Sequence, residues 1–173
     1  MPYTHPDIQG WMGDEEKNWL YEIAQTMTSI IEIGSWKGRS THALLSGCPG
    51  PVFAVDHFKG NPDELEGAHA EAKTGDIFSQ FWANVGTFKN LVVFRMPSVV
   101  AAQYFAPASV DMVFIDGCHM IEEVRADLAA WRPKCRRLMC GHDAGYTSVA
   151  TAVKELGFPV DITAGIWRIN FAT

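Results

Sequence analysis

The regular alternation of two kinds of segment most strongly constrains the fold of this chain. Short apolar runs that end in Gly or Asp alternate with longer segments in which apolar residues recur at helical spacing. This alternation is typical of a buried parallel β-sheet whose strands are connected by helices packed on both faces. Strands are predicted at 29–34, 51–56, 91–95, 110–116 and 136–141, and helices near 14–27, 39–46, 72–86, 98–105, 120–131 and 146–156.

The last part of the chain departs from this alternation. Residues 158–162 and 166–171 are both largely apolar and are joined only by Thr163, Ala164 and Gly165. Three residues are too few for a helical crossover, so the two runs are predicted to form an antiparallel hairpin. An otherwise parallel sheet therefore ends in a reversed strand.

Length and composition indicate one globular domain. The 173 residues are 47% hydrophobic and contain no repeat or linker, so we predict a single domain over 1–173. Within it, 1–28 is predicted as an N-terminal helical cover segment and 29–173 as the core. The 14 basic and 20 acidic residues give a charge of -6, which offers no attraction to nucleic acid or to an anionic membrane.

The chain also carries no targeting signal that we recognise. No apolar stretch approaches the roughly 18 residues of a membrane helix, and the first residues lack the pattern of a signal peptide. The four cysteines form no CxxC pair. We therefore expect a cytoplasmic protein.

A glycine-containing turn follows the first predicted strand. The segment EIGSWKGRST at 32–41 runs from this strand through Gly34 and Gly38 into a helix. Glycine lets the backbone approach a ligand closely, and the helix presents free N–H groups, so this glycine turn (residues 34–38) is predicted to bind a cofactor. Trp36 stands where the GxGxxG pattern needs a glycine against a pyrophosphate, which favours a ligand without one. An ordinary tight turn is the alternative.

Two carboxylates accompany the glycine turn. Asp56 ends the second predicted strand, where an acid can accept both hydroxyls of a ribose, and a solvated strand end is the alternative. Glu32 lies inside an otherwise apolar strand, and a buried carboxylate needs hydrogen-bond donors or a cationic partner. A ligand ammonium or N–H groups of the turn could supply them.

Titratable side chains also follow the fourth and fifth predicted strands. Asp116 and His119 follow the fourth strand, and His142 and Asp143 follow the fifth. Ligands of open α/β sheets bind beyond the carboxyl ends of strands, so we expect these side chains to share a pocket with the glycine turn. His119 is predicted to remove a proton from an acceptor molecule, with Asp116 and Asp143 orienting it or holding a cation. Helix capping or a surface position is the alternative for His119, and a capped turn before the helix at 146 is the alternative for His142 and Asp143.

A cover over this pocket is also predicted. Trp11 and Met12 precede the first helix, and the loop 57–70 leaves the strand that ends at Asp56. Both segments are expected to border the pocket and to exclude water from it.

Taken together, these motifs resemble a known family. The runs IEIGSWKGRST, FAVDHFKG, VDMVFIDGCHMIEEVRADLAAW, GHDAG and IWRI are similar to those of small class I S-adenosylmethionine-dependent methyltransferases related to sugar and macrolide O-methyltransferases. The resemblance spans roughly 8–171 and implies a Rossmann-like α/β fold with a seven-stranded, mostly parallel sheet, a reversed last strand and helices on both faces. It implies S-adenosyl-L-methionine as cofactor, with the methionine moiety at Glu32, Gly34, Ser35 and Gly38, the ribose at Asp56 and the adenine edge at Ser98. Trp36, Ser40, His57 and Asp116 complete the predicted cofactor site.

The chain departs from the family pattern at the place where some members hold a metal. Relatives commonly have DGDH where this chain has Asp116, Gly117, Cys118 and His119, and the second Asp is one that metal-dependent members use. Cys118 offers a soft sulfur that is ill matched to Mg²⁺. A divalent cation such as Mg²⁺ at Asp116, His142 and Asp143 is therefore one of two alternatives. Relatives also often carry HDY where this chain has Ala144 after Asp143, which removes a hydroxyl.

The predicted reaction is methyl transfer to a hydroxyl of a small-molecule acceptor such as a sugar. In-line displacement at the sulfonium carbon mainly needs alignment and a base. Long insertions beyond the sheet are absent from the sequence, so a homo-oligomer could complete the acceptor pocket. Two alternatives stay open, a nicotinamide-dependent oxidoreductase and a non-catalytic S-adenosylmethionine-binding module, and the missing GxGxxG argues against the first.

Overall fold

A computed structural model describes residues 3–62, 64 and 66–171. Within these residues seven strands form one sheet: β1 (Ile30–Ile33), β2 (Val52–Val55), β3 (Leu91–Phe94), β4 (Val110–Ile115), β5 (Cys135–Gly141), β6 (Asp161–Thr163) and β7 (Ile166–Asn170). The α-helices are α1 (Asp14–Ala24), α2 (Arg39–Gly47), α3 (Ile77–Val85), α4 (Ser98–Ala101), α5 (Ile121–Trp131) and α6 (Thr147–Glu155). Short 3-10 helices cover Ala70–Lys73, Ala102–Tyr104 and Arg132–Lys134.

The sheet has the strand order β3-β2-β1-β4-β5-β7-β6. Strands β1 to β5 pair in parallel, whereas β7 is antiparallel to both β5 and β6. The predicted Rossmann-like sheet with a reversed last strand is therefore confirmed. From β1 the chain first adds β2 and β3 on one side of the sheet and then β4 and β5 on the other, so the strand order reverses between β1 and β4. The carboxyl ends of these two strands therefore form the crevice in which such folds bind ligands.

Three helical segments differ from their predicted bounds, and the one expected over 98–105 is an α-helix at Ser98–Ala101 followed by a 3-10 helix at Ala102–Tyr104. The helix expected over 72–86 is divided, because Asp76 caps a new helix by accepting a hydrogen bond from the backbone N–H of Ser79 at 3.1 Å. The first helix ends at Ala24 rather than near 27. There the side-chain hydroxyl of Thr26 donates to the carbonyl of Ile23 at 2.8 Å and replaces a helical hydrogen bond.

The core lies on both faces of the sheet. One cluster packs Leu20, Leu44 and Phe81 of α1, α2 and α3 against strand residues such as Phe114. The other packs helix residues such as Trp131 against the opposite face. All residues of β1 and β4 are buried, as expected for central strands covered on both sides. No helix among the described residues is long and apolar enough to cross a membrane.

Candidate active site

A cavity of about 300 Å³ lies at the carboxyl ends of the central strands. The structure brings most of the predicted site residues together around it. Gly34, Ser35, Trp36, Ser40, Asp56, His57, Ser98, Asp116, His119, His142 and Asp143 line the cavity. Glu32 and Gly38 are not among its lining residues.

The first position of the glycine turn, Gly34, has a backbone conformation and surroundings that only glycine allows. Gly34 adopts a φ of +83°, and a Cβ atom there would lie 2.0 Å from the carbonyl oxygen of Asp116. Any side chain would therefore force β1 and β4 apart at the site. Gly38 has a φ of +91°, and its Cβ would approach Val85 Cγ1 to 3.1 Å. Gly38 thus acts by letting α2 begin against α3, outside the cavity.

Glu32 holds the glycine turn from beneath. Its side chain is fully buried, and its two oxygens accept hydrogen bonds from the hydroxyls of Ser35 at 2.8 Å, Ser40 at 2.6 Å and Thr41 at 2.5 Å. The donors expected from a ligand ammonium or from backbone N–H groups are therefore supplied by hydroxyls. Burial raises the pKa of Glu32 to about 7, although the three hydroxyls oppose that shift.

Asp56 holds the same turn from the side. Its Oδ2 accepts from the backbone N–H groups of Ser35 at 2.9 Å and Trp36 at 2.8 Å, and its Oδ1 accepts from Phe58 N–H at 2.6 Å. A carboxylate has about four acceptor sites, so these three bonds leave capacity for a ligand hydroxyl. Because Asp56 also lines the cavity, the carboxylate predicted to bind the ribose shapes the turn that borders the ligand.

His119 and Asp143 form the shortest contact between the two predicted catalytic strand ends. His119 Nε2 lies 2.7 Å from Asp143 Oδ2, and its Nδ1 lies 3.3 Å from Glu64 Oε1. The ring of Tyr146 stacks on His119 with a centroid distance of 4.6 Å. The hydrogen bond to Asp143 raises the pKa of His119 above its ordinary value, against the effect of burial.

His142 lies among three carboxylates. Its Nε2 lies 2.7 Å from Glu16 Oε1, and its Nδ1 lies 3.5 Å from Asp116 Oδ1 and 3.2 Å from Asp143 Oδ2. Burial by itself lowers the pKa of His142, but the hydrogen bonds and charges of Asp116 and Asp143 outweigh it and raise that pKa to about 11. Asp116, which was expected to orient His119, thus contacts His142, and Asp143 contacts both imidazoles.

The pKa values of Asp116 and Asp143 are shifted in opposite directions. Burial raises the pKa of Asp116 above its ordinary value, and the hydrogen bond from His142 opposes that effect. Burial acts the same way on Asp143, but hydrogen bonds from His119 and His142 outweigh it and hold its pKa well below the usual range. Asp143 is therefore the firmly ionised member of the cluster.

The predicted metal ligands are also close together. Ligand atoms of Asp116, His142 and Asp143 all lie within 4.8 Å of one another. Two carboxylate oxygens and one imidazole nitrogen suit Mn²⁺, Fe²⁺ or Zn²⁺ better than Mg²⁺, which prefers oxygen ligands. The three residues fit a divalent cation, provided that the cation displaces the proton of His142.

The predicted cover borders the cavity. Trp11 and Met12 line it together with Gly60, Asn61, Ala68 and His69, while residues 63 and 65 of the loop 57–70 lie outside the described residues. The rings of Trp11, Trp36 and His69 contact one another, with centroid distances of 5.1 Å for Trp11 and His69, 4.6 Å for Trp36 and His69, and 5.9 Å for the two indoles.

Two cations of the glycine turn and α2 hold the cover segments. The buried ammonium of Lys37 donates to the side chains of Gln9 and Glu71. The guanidinium of Arg39 donates to the carbonyl oxygens of Met12 at 2.7 Å and Ile8 at 2.5 Å. Both segments are therefore fastened directly to the turn that is predicted to bind the cofactor.

Sequence reasoning missed several residues of the site. Glu16 lies 126 positions before His142, and no sequence pattern links the two. Glu64 and Tyr146 likewise reach His119 from separate loops. Asp127 did carry a signal, because it is a charged residue within the apolar stripe of α5 that contains Val124, Leu128 and Trp131.

Comparison with known proteins identifies the chain's relatives. A family model described as a methyltransferase domain matches residues 31–152. No match was found among curated protein sequences.

Three solved structures illustrate the shared architecture. A Corynebacterium glutamicum protein has a TM-score of 0.68 at 17% identity, over 95% of this chain and 83% of that one. A Staphylococcus aureus protein proposed to be a caffeoyl-CoA O-methyltransferase has a TM-score of 0.67 at 13% identity, over 94% and 86%. A Podospora anserina methyltransferase bound to S-adenosylhomocysteine has a TM-score of 0.63 at 11% identity, over 91% and 78%.

At these identities the structural likeness shows the fold. The family model adds the activity, because it covers the segment that contains the glycine turn, Asp56 and the strand ends around the cavity. The chain belongs to the methyltransferase domain family and is a class I S-adenosylmethionine-dependent methyltransferase.

Proposed function

We propose that this methyltransferase transfers the methyl group of S-adenosylmethionine to a hydroxyl of a small molecule such as a sugar. The observation that best supports this proposal is the 2.7 Å contact between His119 and Asp143 on the cavity wall. A hydroxyl is a weak nucleophile until its proton is removed, and an imidazole backed by a carboxylate can accept that proton. The family match decides against the nicotinamide-dependent alternative.

The geometry supports a definite role for each member of the pair. Because Asp143 is ionised, it accepts the proton that His119 carries on Nε2, a tautomer inferred from the hydrogen-bond partner. The acceptor proton would then go to Nδ1, which Glu64 Oε1 faces at 3.3 Å, so the acceptor hydroxyl has to take the place of Glu64 there. The imidazolium formed by proton removal is then stabilised by Asp143. Asp116 contributes indirectly by holding His142 against the same carboxylate.

The proposed cofactor site places the methionine end at the glycine turn and the ribose at Asp56. Ser35, Trp36 and Ser40 border the cavity there, while Glu32 and Gly38 act by shaping the turn. His57 and Ser98 lie further along the same cavity wall. The methyl group would then face the cluster of His119 and Asp143 from the glycine turn.

A divalent cation at Asp116, His142 and Asp143 is the second part of the proposal. When bound, it would lower the pKa of an acceptor hydroxyl and so assist its deprotonation. The support is the convergence of the three ligand atoms. His119 keeps its place as base in either case, because its contact with Asp143 uses Nε2 and the acceptor proton would go to Nδ1, on the side of Glu64.

Turnover separates this proposal from a non-catalytic binding module. Purified protein would be incubated with S-adenosylmethionine and a panel of neutral monosaccharides and phenols, and formation of S-adenosylhomocysteine would be followed. We expect acceptor-dependent turnover. Cofactor binding without turnover on any hydroxyl acceptor, together with turnover on an amine or thiol, would contradict O-methylation.

A further inference from the structure

Glu16 joins the cluster of histidines and acids from the first turn of α1. Its side chain is only 18% exposed, yet it is not among the residues that line the cavity. The proposed reaction gives this carboxylate no task. A largely buried carboxylate loses solvation and needs specific hydrogen-bond donors to offset that loss. The donors around Glu16 therefore indicate what it does.

The two oxygens of Glu16 have different partners. Oε2 accepts from the backbone N–H of Gly13 at 2.5 Å and so caps the start of α1. Oε1 lies 2.7 Å from His142 Nε2. A Cβ atom added to Gly165 would lie 3.0 Å from the same Oε1, so the bare backbone of the turn between β6 and β7 leaves this oxygen its place beside the imidazole. The cap thus holds one oxygen while the other contacts His142.

The contact with Glu16 fixes which nitrogen of His142 faces the proposed cation site. A carboxylate accepts hydrogen bonds, so Nε2 carries the proton that it shares with Glu16, a tautomer inferred from the partner. The other nitrogen, Nδ1, lies 3.5 Å from Asp116 Oδ1 and 3.2 Å from Asp143 Oδ2. Nδ1 is therefore the atom that can join these two carboxylates in holding a cation. Glu16 contacts the opposite nitrogen and so stands behind the ligand set.

We propose that Glu16 is a positioning residue for the divalent cation, which holds the ring of His142 with Nδ1 toward the site and strengthens that nitrogen as a ligand. A histidine whose second nitrogen donates to a carboxylate is fixed in tautomer and in ring orientation, and it binds a metal more strongly. The benefit is greater for Mn²⁺ than for Mg²⁺, because imidazole suits transition metals whereas Mg²⁺ prefers oxygen ligands. The inference rests on the cation site proposed above and needs no knowledge of the acceptor.

The test uses Glu16→Gln, because glutamine removes the charge and can still cap α1. Affinities for Mn²⁺ and Mg²⁺ are measured by calorimetry at pH 7.5, and thermal unfolding shows that each variant is folded. Glu16→Gln should weaken Mn²⁺ binding by about 10- to 100-fold. Mg²⁺ binding should weaken by about threefold or less, since it loses only a screened charge behind the imidazole. Glu15→Gln, an exposed neighbour in the same turn, should bind both cations like wild type.

A double variant separates positioning from simple attraction between charges. If Glu16 acts through His142, then Glu16→Gln should change Mn²⁺ affinity by about twofold or less once His142→Ala has removed the imidazole. A direct attraction between the carboxylate and the cation would persist in that background. If His142→Ala binds no Mn²⁺, the comparison of Mn²⁺ with Mg²⁺ decides between the two.

The outcomes also separate this inference from the site itself. An unchanged Mn²⁺ affinity in Glu16→Gln, or an equal weakening of Mn²⁺ and Mg²⁺ binding, would overturn the role of Glu16 while the cation site stands. If wild type binds neither cation, the cation site and the role of Glu16 both fall. Methyl transfer with His119 as base would survive that result, because turnover tests it independently of the cation.

Discussion

A contact of 2.7 Å joins Nε2 of His119 to Oδ2 of Asp143 and connects the ends of β4 and β5 across the cavity. The register of these two strands places Ile115 beside Gly141, so the residues that follow them must lie close together. The pairing raises the pKa of His119 and depresses that of Asp143. Each side chain thereby favours the charged form of the other, which suits an imidazole that must hold a proton after accepting it.

His119→Ala is expected to remove methyl transfer while cofactor binding is kept. The loss of a general base typically costs about 10²- to 10⁴-fold in kcat. Turnover is measured at saturating S-adenosylmethionine, and the affinity for S-adenosylhomocysteine is measured in parallel. His5→Ala, a histidine that does not line the cavity, should behave like wild type. Full activity in His119→Ala would eliminate it as the base.

Asp56→Ala is expected to weaken S-adenosylhomocysteine binding by roughly 30- to 150-fold. This corresponds to about 2–3 kcal/mol for charge-assisted hydrogen bonds to a diol. Calorimetry measures the affinity, and thermal unfolding shows that the variant is folded. Asp161→Ala, at an exposed position, is the control. Unchanged affinity in Asp56→Ala would remove the ribose assignment.

Chelation tests the proposed divalent cation. We expect EDTA treatment to lower turnover and added Mn²⁺ to restore it more effectively than Mg²⁺, because the site includes an imidazole ligand. Asp143→Asn should abolish Mn²⁺ binding in calorimetry, whereas the distant Asp76→Asn should not. Wild-type activity that is insensitive to EDTA would eliminate a catalytic metal and leave His119 as the route to deprotonation.

Glu32→Gln is expected to change how stability depends on pH. The pKa of Glu32 is raised to about 7, so between pH 4.5 and 7 the folded state retains a proton that the unfolded state releases. Stability from this group therefore falls as pH rises through that window, by up to about 3 kcal/mol. Gln cannot titrate, so the free energy of unfolding of Glu32→Gln relative to wild type should rise from pH 5 to pH 8.

The control for this measurement is Glu22→Gln, which changes an exposed residue of α1. Denaturant unfolding at both pH values gives the free energies. A difference between Glu32→Gln and wild type that is the same at pH 5 and pH 8 would show that Glu32 does not titrate in this window.

Ligand binding is expected to slow hydrogen exchange in the two cover segments. Gln9 to Met12 and the loop around His69 border the cavity and are tied to the glycine turn through Lys37 and Arg39. Exchange is compared with and without S-adenosylhomocysteine, with the backbone of α6, outside the cavity, as internal reference. Identical exchange in both segments would rule out the cover.

Much of the architecture was predictable from local features of the sequence. Strands and helices followed from apolar periodicity, and the hairpin from the short connection before 166–171, since so short a connection permits only antiparallel pairing. The first strand of the hairpin lies at Asp161–Thr163 rather than at the predicted 158–162, so Thr163 belongs to the strand and only Ala164 and Gly165 form the turn. The turn at Gly34 was predictable because a glycine directly after a buried strand marks a backbone turn, and the observed φ of +83° is one that glycine adopts readily. Most predicted site residues line the cavity because the carboxyl ends of parallel strands meet at one edge.

The sequence by itself determined which residue types stand at the strand ends, and only the tertiary structure decided which of them meet. Asp116 and Asp143 were equal candidates to orient His119, and strand register brought Asp143 to it while Asp116 reached His142. Glu16 joined the cluster because α1 packs across the sheet and carries it to His142. Such contacts depend on helix placement and side-chain direction over long separations, and a local pattern contains neither quantity.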